Sequence, residues 1–401
     1  MSSAERVDAA LRRKPTAEER RAEERAWAVV RAAAPSADRG GFRRGVRAWR
    51  PALVAAALVA AVLGVALTPP GDAVADLLRR VIGAPAVSVR PRPVAGATLP
   101  GGGALLASGR NGPVVVRGAT ATERLLGNVD EASWSPRGRF VVAIRGPEVI
   151  AVDRSGRRRW TVVAPGRIGR PRHPRWSPDG FRVAYVAPGE LRVVAGDGTG
   201  DRALAPARAS IAPAWRPRTA AGRHLVAYAE RDGHVAVRDA DTGTRLGRTR
   251  GRLAVRALAW TGDGTRLLVL TPTRTVWLTP GGTSTLFVSP PRGQHFKALA
   301  AAPRGRDYAT VTTATRGARR SQISVVRAGV GRFLLGFPGT TRGLAFSPDG
   351  RWLAVASDAA DAWLLLRPGA RGLVAQRSIE DVRRRLGAGS TVRLEGWCCP
   401  R

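Results

Sequence analysis

The side chains able to do chemistry are few and scattered. Four histidines, His173, His224, His234 and His295, lie far apart in the chain, with no spacing that suits a metal site. Lys14 and Lys297 are the only lysines, and neither ends a glycine-rich phosphate loop; no Gly-x-Ser-x-Gly elbow occurs either. Two aspartate-rich stretches, Asp197–Asp201 and Asp239–Gly243, resemble calcium loops in composition. Both lack a further acidic ligand and read as turns. Cys398 and Cys399 are adjacent and cannot tie distant segments together. In an oxidising compartment they could bond to each other or to another chain, but the favoured reading is two thiols packed beside a terminal strand. No set of acid, base and nucleophile can be assembled, so the expectation is a protein that is not an enzyme and holds no metal or cofactor.

Arginine, by contrast, is abundant. Lysine and arginine together number 66 against 30 acidic residues, a formal net charge of +36, and most of that excess lies after residue 50. Arginine suits bidentate contact with phosphate or carboxylate. The same bias also follows from base composition alone, in which case the charge is diffuse and serves solubility. Two local clusters are candidate binding sites. Arg157, Arg158 and Arg159 follow the turn Asp153-Arg154-Ser155-Gly156, and Arg316, Arg319 and Arg320 fall in an expected loop.

The elements that position these residues are announced by a repeat. An aromatic or small residue followed by a Ser-Pro-Asp-Gly variant recurs at Trp134-Ser135-Pro136-Arg137-Gly138, Trp176-Ser177-Pro178-Asp179-Gly180, Trp215-Arg216-Pro217-Arg218, Trp260-Thr261-Gly262-Asp263-Gly264, Ala301-Ala302-Pro303-Arg304-Gly305 and Phe346-Ser347-Pro348-Asp349-Gly350. Proline presets the first corner of a turn and Asp-Gly or Arg-Gly tolerates the second, so each copy predicts a hairpin. Runs of β-formers follow, as in Leu225-Val226-Ala227-Tyr228 and Leu267-Leu268-Val269-Leu270. A spacing of roughly 40 to 45 residues is that of propeller blades.

With these turns the chain resembles the TolB-like and WD-repeat-like β-propellers, whose blades carry the same aromatic-Ser-Pro-Asp-Gly motif. The resemblance spans about residues 100–401 and implies an all-β ring of four-stranded blades. It implies no single function, because propellers host binding, scaffolding and catalysis alike. Six tetrads open six units, and strand-like pieces between Gly103 and Gly127 supply most of another. The stretch Thr391–Trp397 is the candidate for its missing strand, which would close the ring and leave no free edge. About seven blades are therefore expected, with six as the alternative. Ser378-Ile379-Glu380-Asp381 reads as the cap of a short helix over Val382–Leu386 that stops at Gly387.

Ahead of the propeller, residues 51–71 are uncharged and alanine- and leucine-rich, long enough for one transmembrane helix. Arg39, Arg43, Arg44, Arg47 and Arg50 on one side outnumber Arg79 and Arg80 on the other, which places the amino terminus in the cytoplasm and the propeller outside. Residues 1–50 form a charged cytoplasmic helical segment with a capping box at Thr16-Ala17-Glu18-Glu19. Residues 72–99 form a juxtamembrane helix and a Pro-rich linker, and residues 100–401 the propeller. The organisation suits a single-pass membrane protein whose extracytoplasmic propeller binds or scaffolds a protein or an anionic envelope polymer. The alternative is a transmembrane signalling protein that senses an external ligand and regulates a cytoplasmic partner through its amino-terminal helix. Nucleic acid is not expected as a partner.

Overall fold

The structure, a computed structural model, describes residues 92–93 and 98–399, apart from 110–111, 119–121, 126, 128, 166–168, 218–221, 317–319, 328 and 387–391. The expected transmembrane segment 51–71, the cytoplasmic segment and the juxtamembrane helix lie outside the described residues. No helix among the described residues is long and apolar enough to cross a membrane.

Seven antiparallel sheets follow one another along the chain, six of four strands and one whose four strands gain a short parallel fifth, Arg92–Pro93. Blade I comprises Ala104–Ser108, Val114–Val116 and Thr122–Arg124, and blade II comprises Glu131–Trp134, Phe140–Arg145, Glu148–Asp153 and Arg158–Val163. Blade III holds Arg172–Trp176, Arg182–Ala187, Glu190–Ala195 and Arg202–Pro206; blade IV holds Ala214–Trp215, Leu225–Ala229, Val235–Asp239 and Arg245–Arg248. Blade V runs through Ala257–Trp260, Leu267–Leu270, Thr275–Leu278 and Ser284–Val288, and blade VI through Gln294–Ala301, Tyr308–Ala314, Arg320–Arg327 and Val330–Pro338. Blade VII contains Thr341–Phe346, Leu353–Ser357, Ala362–Pro368 and Leu373–Glu380. The chain then returns: Arg393–Cys398 pairs antiparallel with Ala104–Ser108, with Leu105 opposite Trp397, and becomes the inner strand of blade I. The inner strands touch one another all the way round the ring, so seven is the blade number.

The packing explains why the second strands are apolar on both sides. A blade is flanked by two neighbours, so alternate residues of one strand enter different cores. In blade VII, Ala354 and Ala356 pack toward blade I, whereas Leu353 and Val355 pack toward blade VI. Each of the seven seams between blades holds its own apolar cluster. That between V and VI is the leanest, built on Leu268, Trp277, Tyr308 and Val326.

Tetrads with a serine or threonine in second place close through its hydroxyl. Ser177 Oγ accepts the Arg182 amide at 2.9 Å and donates to Asp179 at 2.5 Å, while the Gly180 amide donates to the Ser177 carbonyl at 2.9 Å. Thr261 repeats the arrangement with Arg266, Asp263 and Gly264, and Ser347 with Trp352, Asp349 and Gly350. Tryptophans at the ends of the inner strands tie neighbouring blades: Trp215 Nε1 donates to the Arg175 carbonyl at 2.9 Å, and Trp260 Nε1 to the Ala214 carbonyl at 3.1 Å.

Two expectations need correction. The helix Val382–Leu386 is present, but Ser378–Glu380 belongs to the preceding strand. Its cap comes from blade VII, where Asp361 Oδ1 accepts the Arg383 amide at 2.7 Å. Arg92–Pro93, inside the Pro-rich linker, runs parallel to Leu373–Glu380 and covers the outer edge of blade VII. Cys398 and Cys399, read as thiols, are bonded to each other. They do pack beside the terminal strand, against the blade II turn at Ser135, Pro136 and Gly138.

Candidate functional site

The hairpin order gives the ring two different faces. Tetrads join the first and second strands of blades II to VII, so they lie on the same face as the turns between third and fourth strands. The turns between second and third strands, and the connections from one blade to the next, lie on the opposite face, where every inner strand begins.

This places the two arginine clusters on opposite faces. Arg157 lies in the turn between third and fourth strands of blade II, on the tetrad face, and Arg158 and Arg159 open the fourth strand. All three are exposed. Asp153 already serves two of them, with Arg157 Nε at 3.3 Å and Arg159 Nη1 at 3.9 Å from its Oδ2. Arg316 and Arg320 are exposed beside the connection between second and third strands of blade VI, on the opposite face; Arg319 lies outside the described residues. One ligand footprint cannot join the two clusters.

The histidines divide by task. His224 bridges blades III and IV on the tetrad face: its Nε2 meets Asp179 and its Nδ1 meets Asp241 Oδ2 at 2.6 Å. His234 Nδ1 lies 2.8 Å from the Thr249 carbonyl and anchors a connection. The aspartate-rich stretches are turns, as read: Asp197 Oδ1 accepts the Thr199 amide at 3.0 Å, and Asp239 Oδ1 accepts the Asp241 amide at 2.9 Å.

The densest unusual chemistry is at the inner-strand starts around the central channel. Glu131 at the start of blade II is buried and accepts both the His173 amide, at 2.8 Å, and His173 Nδ1, at 3.0 Å, from blade III. Burial alone would raise this carboxyl, but the two bonds, the His173 charge and the nearby Arg175 outweigh it and hold it at about 2. His173 has a positive φ of 57° and sits where the strand register slips against blade III's second strand. Bulges of this kind re-aim side chains. In the next inner strand of the ring, Glu395 fills a similar bulge in blade I and accepts the Ser108 hydroxyl. Burial pushes its carboxyl up, and the like charge of Glu131 adds to this, against the pull of Ser108, Arg175 and Arg393. Across the ring, His295 of blade VI lies near Lys297 and Arg256. Its imidazole is pushed down first by burial and then by those two cations.

From sequence His173 and His295 were weighed only as metal ligands without suitable spacing, and Glu131 and Glu395 were not singled out. The available signal was position within the repeat: Glu131, His173 and His295 precede the lead residue of their tetrads, and Glu395 precedes Trp397, by two to six residues, a register that matters only once the ring sets those positions around one axis. No group of three or more His, Cys, Asp or Glu able to hold a metal ion is found among the described residues.

No protein-family model matches the chain, and no curated protein matches it. Solved structures do. A chain in the crystal structure of the mitotic checkpoint complex is 16% identical over 63% of this chain and 77% of its own, with a TM-score of 0.51. The Cps50 (Swd1) β-propeller domain of Myceliophteria thermophila is 16% identical over 64% of this chain and 87% of its own, with a TM-score of 0.48. Hydrazine synthase of Kuenenia stuttgartiensis is 14% identical over 60% and 76%, with a TM-score of 0.47. The likeness is one of fold, a WD-repeat-like propeller, and at these identities it transfers no role.

Proposed function

We propose that this chain is a binding module rather than an enzyme: a propeller, anchored by residues 51–71 with the amino terminus in the cytoplasm, that presents its faces outside the cell membrane to a protein or an anionic envelope polymer. The observation that carries the reading is the surplus of exposed arginine without an acidic partner among the described residues. Arg137, Arg304 and Arg351 crown the tetrad turns of blades II, VI and VII, and Arg316 and Arg320 project from the other face. Arginine in that setting favours oxyanions. The rigid ring supplies two preformed surfaces, which lowers the ordering cost of association.

The test titrates the purified full-length chain against envelope polymer at two salt concentrations, with Arg157, Arg158 and Arg159 changed to Gln in one variant and Arg316, Arg319 and Arg320 in another. A specific site predicts saturable binding that one variant loses and the other keeps. Equal losses in both, fading steeply with salt, would mean diffuse charge instead, because exposed charges more than about 8 Å apart are largely screened at physiological ionic strength.

A further inference from the structure

The inner strands carry a pattern that becomes visible when they are aligned by the aromatic position of each tetrad. Four residues before that position stand Arg393 in blade I, Asp130 in II, Arg172 in III, Ile211 in IV, Arg256 in V, Lys297 in VI and Arg342 in VII. In ring order, blades V, VI, VII and I present four cations in succession from touching strands. All four are exposed. They stand on the face opposite the tetrads, where the inner strands begin.

Three further observations set these four apart from the scattered surface arginines. Lys297 and Arg342 are the extra residues of β-bulges: Phe296 and Ala298 pair with the consecutive residues Thr312 and Val311, and Thr341 and Gly343 with Ser357 and Ala356. The fold breaks its ladder twice in the same place to turn a cation out of the sheet, which is the use bulges have beside binding sites. Acidic compensation is thin. Arg342 has Asp358 at 4.0 Å, Arg393 has the Glu395 carboxyl nearby, and Arg256 and Lys297 form no ion pair among the described residues. Finally, His295 stands beside Arg256 and Lys297, held toward its neutral form and able to bond an incoming oxygen.

We propose that Arg256, Lys297, Arg342 and Arg393 form a site at the mouth of the central channel for a ligand carrying several phosphate groups. The site deepens the binding role proposed above and depends on it only for an anionic partner. The four stand on consecutive, touching inner strands around one axis, so a ligand with several anionic groups can engage more than one of them at once. A phosphate offers more acceptor oxygens and up to twice the charge of a carboxylate, and takes bidentate bonds from arginine and a point contact from lysine.

Calorimetric titration of the full-length chain with inorganic tripolyphosphate tests this, alongside a pentaglutamate titration and two variants. Arg256→Gln with Lys297→Gln removes half the ring, whereas Arg139→Gln with Arg245→Gln removes charge from the opposite face. All four side chains are exposed, so melting temperatures should match that of the wild type. The expected result is saturable binding of one tripolyphosphate per chain, weakened at least about tenfold in the ring variant, as when a charge-assisted bond is lost, and changed less than about twofold in the other. Lys297→Arg should retain most of it. No saturable tripolyphosphate binding, equal losses in both variants, or pentaglutamate binding as tightly as tripolyphosphate would each overturn the proposal. Envelope polymer that still binds the ring variant while tripolyphosphate does not bind the wild type would sink this site and leave the broader reading standing; tripolyphosphate bound at the ring with no polymer or protein partner would do the reverse.

Discussion

Replacing Trp397 with alanine tests whether the returning strand holds the ring shut. Trp397 is buried in the core between blades VII and I beside Leu394 and Leu105, and its Nε1 donates to the Gly102 carbonyl at 2.8 Å. Truncating a buried tryptophan costs about 3–5 kcal/mol through lost burial and the cavity left behind, and the unmade bond adds about 1 kcal/mol. For a domain of this size each kcal/mol lowers the melting temperature by roughly 2 °C, so Trp397→Ala should melt about 8 to 12 °C below the wild type. Differential scanning calorimetry of the full-length chain reads this directly. Trp134→Ala is the control, because Trp134 is only half-buried and its Nε1 finds no partner among the described residues; its loss should be clearly smaller. Deleting residues 391–401 goes further, since it strips the partner from Ala104–Ser108 and bares the fully buried Leu105 and Leu106. A shift below about 2 °C for Trp397→Ala, or a deletion that melts like the wild type, would show that the ring closes without this strand.

Three other outcomes follow from single sites. The Glu131 carboxyl is depressed from 4.5 to about 2 in the folded chain, so its stabilisation is complete above the unfolded value and is lost as pH falls from 4.5 toward 2, by up to about 3 kcal/mol. Glu131→Gln should therefore flatten the fall of melting temperature between pH 5 and about 3, and an unchanged slope would remove Glu131 as the source. Gly102 and Gly103 share left-handed φ values of 67° and 68°, but a Cβ at Gly103 would stand 2.1 Å from the Cys398 carbonyl oxygen, whereas one at Gly102 meets nothing within 4 Å. Gly102→Ala should cost about 1 kcal/mol in denaturant unfolding and Gly103→Ala distinctly more; equal costs would mean that the terminal strand yields. For topology, protease added to intact spheroplasts should cut residues 100–401 and spare 1–50, and a mature chain beginning at Asp76 would replace the anchor with a cleaved leader.

What the sequence disclosed follows the range over which each feature is determined. A tetrad is a local turn, set by its own proline, glycine and, in three copies, a hydroxyl and carboxylate that bond within the turn, so six of the seven blades could be counted from the recurrence of the motif. Blade I was legible only by subtraction, because its inner strand is supplied by Arg393–Cys398 from the far end of the chain. The helix Val382–Leu386 was placed correctly from its own residues, but its cap was not, because Asp361 belongs to a hairpin about twenty residues earlier. His224 shows the same limit: its two carboxylates come from the tetrad of one blade and the turn of the next.

The candidate binding residues were the hardest to read for a reason that belongs to propellers. Charge clusters adjacent in sequence, such as Arg157, Arg158 and Arg159, point in alternating directions along a strand and share Asp153. Residues about 40 apart are the ones brought together, because each blade delivers the same repeat position to the same height on the axis. Arg256, Lys297 and Arg342 look unrelated in the linear chain and fall into one row when counted back from Trp260, Ala301 and Phe346. A charged residue in such a chain is therefore read by its offset from the repeat. On that reading the cations nearest the channel are set by the register of the inner strands, and the clusters that stand out by eye belong to the rim.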